Sequence, residues 1–328
     1  MMSQSNLQTK RLQHCRDKAE NKKRKKQIDR INRKSNLAQL SMCLPAMVKL
    51  FLFQYIPIVG ILIAFQDYNP IKRIFGSKWI GFKNFEFFFA SGRAAQITFN
   101  TIAFNAIFII TGLIFAVAVA LLLYEITNRV TVKAFQTVMF FPYFISWALV
   151  GMILTGFLND QGMATRAVES IFGASPDFYN NPNAWWFILP LVNIWKGAGV
   201  SAIIYYANML SISKEYYEAA YLDGANKFQC ARHITLPFLK PMIITMTLMS
   251  LGGIIRGDFG IFYFATRNQT ALYPVTTVID TYVFRALEQS GDVSMGTAIG
   301  LFQSVIGCIL VLVSNAIVRK NTPELAQF

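Results

Sequence analysis

Three charged side chains interrupt long apolar stretches of the sequence. Lys196 follows Trp195 in the middle of one such stretch, and Arg256 and Asp258 come shortly after Gly252-Gly253 in another. A charge at the centre of a lipid bilayer costs roughly 3 kcal/mol, so these side chains usually face a polar cavity or a partner. Two hypotheses follow. The charges line a path for a polar solute, or they pair with each other or with a neighbouring helix.

Aromatic side chains lie near these charges, and aromatic rings can stack on sugar rings, so a carbohydrate is one polar solute that such a path would accept. The candidate substrate-path residues are Asn193, Trp195, Lys196, Tyr205, Arg256 and Asp258. We predict no catalytic residue and no metal site, because His14 and His233 are isolated and the four cysteines lack metal-ligand spacing. The sequence also lacks the glycine-rich phosphate loop of ATPases, so we expect no ATP site in this chain.

The composition indicates an integral membrane protein of the all-α class. Hydrophobic residues make up 54% and charged residues only 15% of the 328 positions, whereas soluble proteins carry about 25% charged residues. The apolar runs are long and do not alternate, which favours helices over barrel strands. We predict six transmembrane helices, the first bent at Pro57-Ile58-Val59-Gly60: Leu44–Phe65, Thr101–Tyr124, Ala134–Phe157, Trp185–Leu210, Leu239–Phe262 and Thr297–Val318.

The charge distribution predicts the orientation of these helices. Residues 1–43 contain 12 Lys and Arg against three acidic residues, and such segments stay in the cytoplasm and can touch anionic headgroups. We therefore expect a multi-pass protein of the cell (plasma or inner) membrane with both termini cytoplasmic. Its predicted parts are a basic tail (1–43), a membrane domain (44–320) and a C-terminal tail (321–328). Nucleic acid is not an expected partner, and Trp185-Trp186 is expected in an outer aromatic belt.

A polar segment, residues 211–238, separates the fourth and fifth predicted spans and falls on the cytoplasmic side. Ser213 suits the start of a helix and Gly224 its left-handed end. A second short helix is predicted over Asn226–His233, and Pro237 and Pro241 are expected to start the fifth span. The residue types leave two alternatives open, a docking surface for another protein or a plain pair of interfacial helices.

The same segment resembles the signature loop of permease subunits in binding-protein-dependent ABC importers. Glu218-Ala219-Ala220 is followed after three residues by Gly224, and after nine more by Ile234-Thr235-Leu236-Pro237. Asp223-Gly224-Ala225 is typical of carbohydrate-type permeases similar to the inner subunits of the maltose system. Four stretches resemble the polysaccharide or oligosaccharide subgroup, and the resemblance covers residues 44–320: Ile63–Tyr68, Phe140–Trp147, Val278–Val283 and Ala298–Val305.

The resemblance implies a function and a set of partners. In that family the loop carries a coupling helix that seats on a cytoplasmic ATPase subunit. The coupling residues that it implies here are Glu218, Ala219, Ala220, Asp223, Gly224, Ile234, Leu236 and Pro237. The implied partners are a second, similar permease chain, two ATP-binding subunits that use ATP and Mg, an extracellular solute-binding protein and membrane lipid. This chain would bind no cofactor and would form half of a pathway for a carbohydrate, expected to be an oligosaccharide. An ion-coupled secondary carrier is the alternative, although no convincing internal repeat supports it.

Overall fold

The computed structural model describes residues 39–90, 92–173 and 175–321. The predictions for the basic tail before residue 39 and for residues 322–328 lie outside this part. The chain divides into two compact units, the first ending at Ile61 and the second beginning at Leu62. The helices are α1 (Gln39–Phe65), α2 (Arg73–Gly76), α3 (Lys83–Ala90), α4 (Ala94–Tyr124), α5 (Arg129–Phe144), α6 (Trp147–Leu158), α7 (Met163–Phe172), α8 (Trp185–Met209), α9 (Lys214–Leu222), α10 (Lys227–Leu251), α11 (Tyr273–Thr276), α12 (Ile279–Ser290) and α13 (Val293–Asn321).

Five of these helices are long and apolar enough to cross a membrane: α1, α4, α8, α10 and α13. The all-α prediction is confirmed, since the strands of the described residues are two short ones, β1 (Gln66–Asp67) and β2 (Lys78–Trp79), paired antiparallel. In α1 the region of Pro57 shows a change of helix type, from a π turn over Phe51–Tyr55 to a 3-10 stretch over Ile56–Phe65. Such changes accommodate a proline nitrogen that cannot donate a hydrogen bond.

The third predicted span, Ala134–Phe157, is wrong as a single helix. The chain breaks after α5, and the arms Arg129–Phe144 and Trp147–Phe172 differ in direction by 96°. Ile145 and Ser146 are extended, and the Ser146 hydroxyl accepts a hydrogen bond from the backbone N–H of Leu149 at 3.3 Å. A serine cap of this kind starts a new helix, so the apolar run contains two arms that meet at a corner.

The fifth span also differs from the prediction. The second short helix is not separate, because α10 begins at Lys227, caps on Asn226 and runs without interruption to Leu251. A π turn over Ala231–Thr235 precedes Pro237 and lets the helix continue past it. After Leu251 the chain leaves the helix at Gly252-Gly253, well before the predicted end at Phe262.

In the second unit α4 and α8 run along each other, and α5 and α10 pack against α8. Near the start of α8, Trp185 is fully buried and donates from Nε1 to the Phe178 carbonyl at 2.8 Å. Trp186 stacks on Phe104 of α4 with the ring centroids 4.2 Å apart. Trp185 is therefore part of the protein core and Trp186 is half-buried against it, and the outer aromatic belt at this pair stays a prediction.

Gly199 lies at a close approach of α8 to α5. A Cβ atom at this position would collide with the Met139 backbone carbonyl, so we expect Gly199→Ala to force the two helices apart. Overpacking of this kind costs about 1–3 kcal/mol, and the midpoint of thermal denaturation should fall. Gly197→Ala is the matched control on the same helix, because a Cβ there meets no atom within 4 Å. Equal midpoints for the two variants in purified protein would contradict the packing described.

Candidate functional site

The Lys196 side chain bonds to the exposed backbone at the first break in the membrane helices, between α5 and α6. Its Nζ donates hydrogen bonds to the backbone carbonyls of Pro142 at 3.2 Å, of Tyr143 at 2.8 Å, and of Ile145. Carbonyls at the end of a helix lack an intrahelical donor and carry the negative end of the helix dipole. An ammonium group has three N–H donors, so this one side chain satisfies the exposed end of α5.

Trp147 connects Lys196 to Asp258. The Lys196 ammonium lies 5.1 Å from the centroid of the Trp147 ring, a cation–π contact. On its other side, Trp147 Nε1 donates to Asp258 Oδ2 at 3.0 Å. Asp258 Oδ1 accepts from the backbone N–H of Gly260 at 2.9 Å, and the ring packs directly on Gly260. Two of the predicted path residues thus meet through an aromatic residue at the start of α6.

The second break, residues 252–258 after α10, has its own polar partners. The Asn105 side chain, from α4, donates to the carbonyls of Ile254 at 2.8 Å and Arg256 at 2.9 Å. The Gln303 side chain, from α13, donates to the carbonyl of Ile255 at 2.9 Å. Two helices therefore hold the irregular backbone by amide side chains.

Asp280 completes this second set of contacts. Its carboxylate accepts from the backbone N–H of Gly257 and, at 3.1 Å, from Gln303. Arg256 instead extends from the break and donates to the Ser304 hydroxyl at 2.8 Å. The hypothesis that Arg256 pairs with Asp258 is not what the described residues show, because the two side chains contact different helices.

A cavity of about 360 Å³ lies beside the second break, where Gly253 and Ile254 form part of its wall. Within the described part of the chain, its lining contains no charged side chain. Its hydrogen-bonding groups are amides and hydroxyls from α4, α8 and α10: Asn105, Asn193, Ser201, Tyr205, Thr247 and Ser250.

The six predicted path residues are therefore divided. Asn193 and Tyr205 line this cavity, and Arg256 lines a second one of about 290 Å³ against α13. Trp195 is exposed on another side of α8, and the linings of these two cavities include neither Lys196 nor Asp258. The residues that the sequence reasoning missed are Asn105, Trp147, Asp280 and Gln303. Amides within apolar spans were the available signal, since an uncharged polar group also needs a partner there.

The first helix of the polar loop, α9, begins and ends where the sequence predicts. The Ser213 hydroxyl accepts from the Glu215 N–H at 3.4 Å at the start of α9. At its other end Gly224 has φ +82°, a left-handed conformation. The Ala225 N–H bonds to the Ala220 carbonyl at 2.9 Å and the Gly224 N–H to the Tyr221 carbonyl at 3.1 Å. This pair of bonds is the Schellman motif, which satisfies the last carbonyls of a helix.

One face of α9 is anchored on the membrane helices. Tyr217 is buried, and its hydroxyl lies 2.9 Å from Thr235 Oγ1 in α10. Ile234 packs into the same cluster, and Lys227 forms a 2.6 Å ion pair with Glu125 at the end of α4. These contacts fix the position of α9 relative to α4 and α10.

The opposite face of α9 is open. Leu222 is 89% exposed, and exposed residues beside it are Glu218, Ala219, Asp223 and Gly224. Of the remaining predicted coupling residues, Ala220 and Leu236 are half-buried and Pro237 is exposed on α10. An exposed leucine beside small residues suits contact with a partner surface.

The sequence matches a known family and named relatives over most of its length. Residues 109–325 match the family described as binding-protein-dependent transport system inner membrane component. Protein LplB of Bacillus subtilis (strain 168) is 32% identical over 286 residues, which are 86% of this chain and 89% of that protein. The polygalacturonan/rhamnogalacturonan transport system permease protein YteP of the same strain is 33% identical over 289 residues, 86% and 88% of the two chains.

Solved structures agree with these relatives. The fold is similar to a chain in the crystal structure of a bacterial ABC transporter involved in the import of the acidic polysaccharide alginate. The TM-score is 0.78 at 30% identity, covering 88% of this chain and 97% of that chain. A second structure, of a bacterial alginate ABC transporter in complex with an alginate pentasaccharide-bound periplasmic protein, gives 0.78 at 29% identity over 88% and 96%.

We expect Lys196→Met to destabilise the protein, because it leaves the terminal carbonyls of α5 without a donor. Hydrogen bonds to a charged group contribute about 1.5–3 kcal/mol each, so the thermal midpoint should fall clearly. Lys240→Met is the control, since Lys240 is an exposed lysine of α10 and its loss should change little. An unchanged midpoint for Lys196→Met would show that the contact at the break contributes nothing to stability.

Proposed function

The chain belongs to the family of binding-protein-dependent transport system inner membrane components, and on that premise we propose that it forms half of the pathway by which an oligosaccharide is imported. It is a multi-pass membrane permease subunit and not an enzyme. ATP hydrolysis belongs to a separate subunit in this family. The family also decides against an ion-coupled carrier.

The cavity beside the second break carries the proposal for a carbohydrate substrate. Sugars present hydroxyl groups that both donate and accept hydrogen bonds, and the amide and hydroxyl side chains of this cavity do the same. Phe108 adds an apolar ring to the wall. The relative YteP is named for transport of polygalacturonan and rhamnogalacturonan and AraP of Bacillus subtilis for arabinooligosaccharides, which supports an oligosaccharide for this chain.

The open face of α9 is the proposed contact with the ATPase. Residues 211–226 then lie in the cytoplasm with both termini, as the positive charge of the tail also favours. Two ATP-binding subunits using ATP and Mg, a second permease chain and an extracellular solute-binding protein complete the proposed importer. Coupling requires that the ATPase bind two states of the pore with different affinity. Ile234 is half-buried and packs with Tyr217 of α9, whereas Leu236 packs in a cluster of α4, α8 and α10 side chains, so in this proposal neither forms the contact surface.

Uptake measurements test the function directly. Deleting the gene should abolish uptake of at least one labelled oligosaccharide from a panel of neutral and acidic chains of two to five sugars. Complementation with the intact chain should restore it. Uptake that remains complete for every oligosaccharide, with loss of a non-carbohydrate solute, would refute the substrate class and leave the family assignment in place.

Gly224→Val should uncouple transport from ATP hydrolysis. A β-branched residue at φ +82° costs about 1–2 kcal/mol in a left-handed conformation, and relaxation there would displace the open face of α9. We expect uptake and substrate-stimulated ATPase activity to fall at least tenfold. Gly291→Val is the matched control, because Gly291 has φ +69° at the end of α12, far along the chain from α9. The control variant should have the same backbone strain and should retain uptake and ATPase stimulation. Equal loss of these activities in both variants would contradict the docking role of α9.

Asn193→Leu should weaken substrate recognition. The change removes an amide from the cavity wall, and a lost hydrogen bond contributes about 0.5–1.5 kcal/mol. We expect the KM for uptake to rise about two- to tenfold, while ATPase stimulation by a saturating loaded binding protein persists. The control is Trp195→Leu, an adjacent exposed residue outside the cavity lining. A normal KM in Asn193→Leu would remove this cavity from the pathway.

A further inference from the structure

A third, larger cavity lies between the end of α4, the start of α5 and the polar loop. Its volume is about 1310 Å³. One wall continues the apolar surface of the membrane spans and is formed by Ala118, Leu121, Leu122, Leu210 and Phe228. Leu122 is 69% and Phe228 73% exposed, so the wall presents apolar surface that the described part of the chain leaves open.

The rim of this cavity is basic. Its charged side chains are Glu125, Arg129, Lys133, Lys214, Glu218 and Lys227. Lys227 is engaged by Glu125 at 2.6 Å, so the net charge of the rim comes from Arg129, Lys133 and Lys214 against Glu218. The first two lie in the first two turns of α5, whose N-terminus adds the positive end of a helix dipole.

A neutral hydroxyl stands at the same rim. Tyr221 lines the cavity, and desolvation raises the pKa of its phenol above the usual value, with a smaller contribution from the Glu125 carboxylate. A phenol keeps its proton at physiological pH even at its usual pKa of about 10, so this hydroxyl can donate a hydrogen bond. Cations and a hydroxyl donor together are suited to phosphate oxygens.

We propose that this cavity binds an anionic phospholipid from the membrane leaflet that borders the polar loop. A phospholipid joins a negative phosphate to apolar chains, and the lining of the cavity joins basic side chains to apolar ones. Basic pockets between transmembrane helices on the cytoplasmic side bind anionic headgroups in this way. Free phosphate has the charge and lacks the apolar part, so it would leave the wall uncovered.

Because of the position of the cavity, a lipid bound there would also affect the polar loop. One side is formed by α4 and α5 and the other by α9 and α10, so a bound lipid contacts both. A ligand that binds the folded arrangement stabilises it in proportion to its occupancy. The lipid would therefore hold α9 in the orientation in which its open face is presented.

The test uses the complete importer, purified in a mild detergent with its own lipid removed. Separate samples receive phosphatidylglycerol, phosphatidylcholine with the same acyl chains, or inorganic phosphate. The midpoint of thermal denaturation is measured in each sample, and bound lipid is counted by native mass spectrometry. We expect phosphatidylglycerol alone to raise the midpoint. Arg129→Gln/Lys133→Gln should weaken its binding about fivefold for each charge removed.

The matched control is Lys240→Gln/Lys320→Gln, which removes two exposed lysines outside the cavity lining and should keep the full shift. If the double variant does not assemble, Lys133→Gln alone should show about half of the loss. Equal shifts in the cavity and control variants would overturn the site. A rise of the thermal midpoint with inorganic phosphate alone would show that the ligand of this cavity is a phosphate and not a lipid. No shift in the wild type, with loss of ATPase binding in the cavity variant, would make the surface a protein interface.

Discussion

Inside a bilayer every backbone polar group must find its partner within the protein, and this requirement organises the membrane part of the chain. Two helices stop at breaks, after Phe144 and after Leu251, and each leaves carbonyls without intrahelical donors. Lys196 satisfies the first break, and Asn105 and Gln303 satisfy the second. Polar residues within the spans thus serve first as partners for broken backbone.

The same breaks create the polar cavity. A continuous helix directs its backbone groups along its own axis, whereas an irregular segment exposes them sideways and needs amide and hydroxyl partners. Asn105 has both roles, since it holds the second break and lines the cavity. The stability of the break and the chemistry of the proposed pathway therefore depend partly on the same side chain, and substitution at Asn105 would confound the two. Asn193 and Tyr205 separate them better, because they lie on α8, outside the break.

Sequence reasoning was most successful where local chemistry decides the structure. Ser213 and Gly224 define the ends of α9 through their own backbone preferences, and both ends are confirmed. It failed at Ile145-Ser146, because a corner inside an apolar run has the same hydropathy as a straight helix. The partners of Lys196 could not be predicted from the sequence either, because they are backbone carbonyls 51–54 residues away and no residue type identifies them. The continuity of α10 past Pro237 depends on a π turn, which has no strong sequence signal.

That continuity changes how the loop can act on the cavity. If the segment after Gly224 were a separate short helix, a displacement of α9 would be absorbed at the hinge between that short helix and the fifth span. In the structure α10 begins two residues after Gly224 at the Asn226 cap and extends for 25 residues, about 37 Å at 1.5 Å per residue. Its far end is Gly252-Gly253, beside the cavity. α9 is anchored to α10 through Tyr217 and Thr235, so one continuous helix, with a π turn over Ala231–Thr235, connects this anchor to the irregular segment that forms part of the cavity wall. The irregular backbone therefore lies at the cavity end of this helix and not at its junction with the loop.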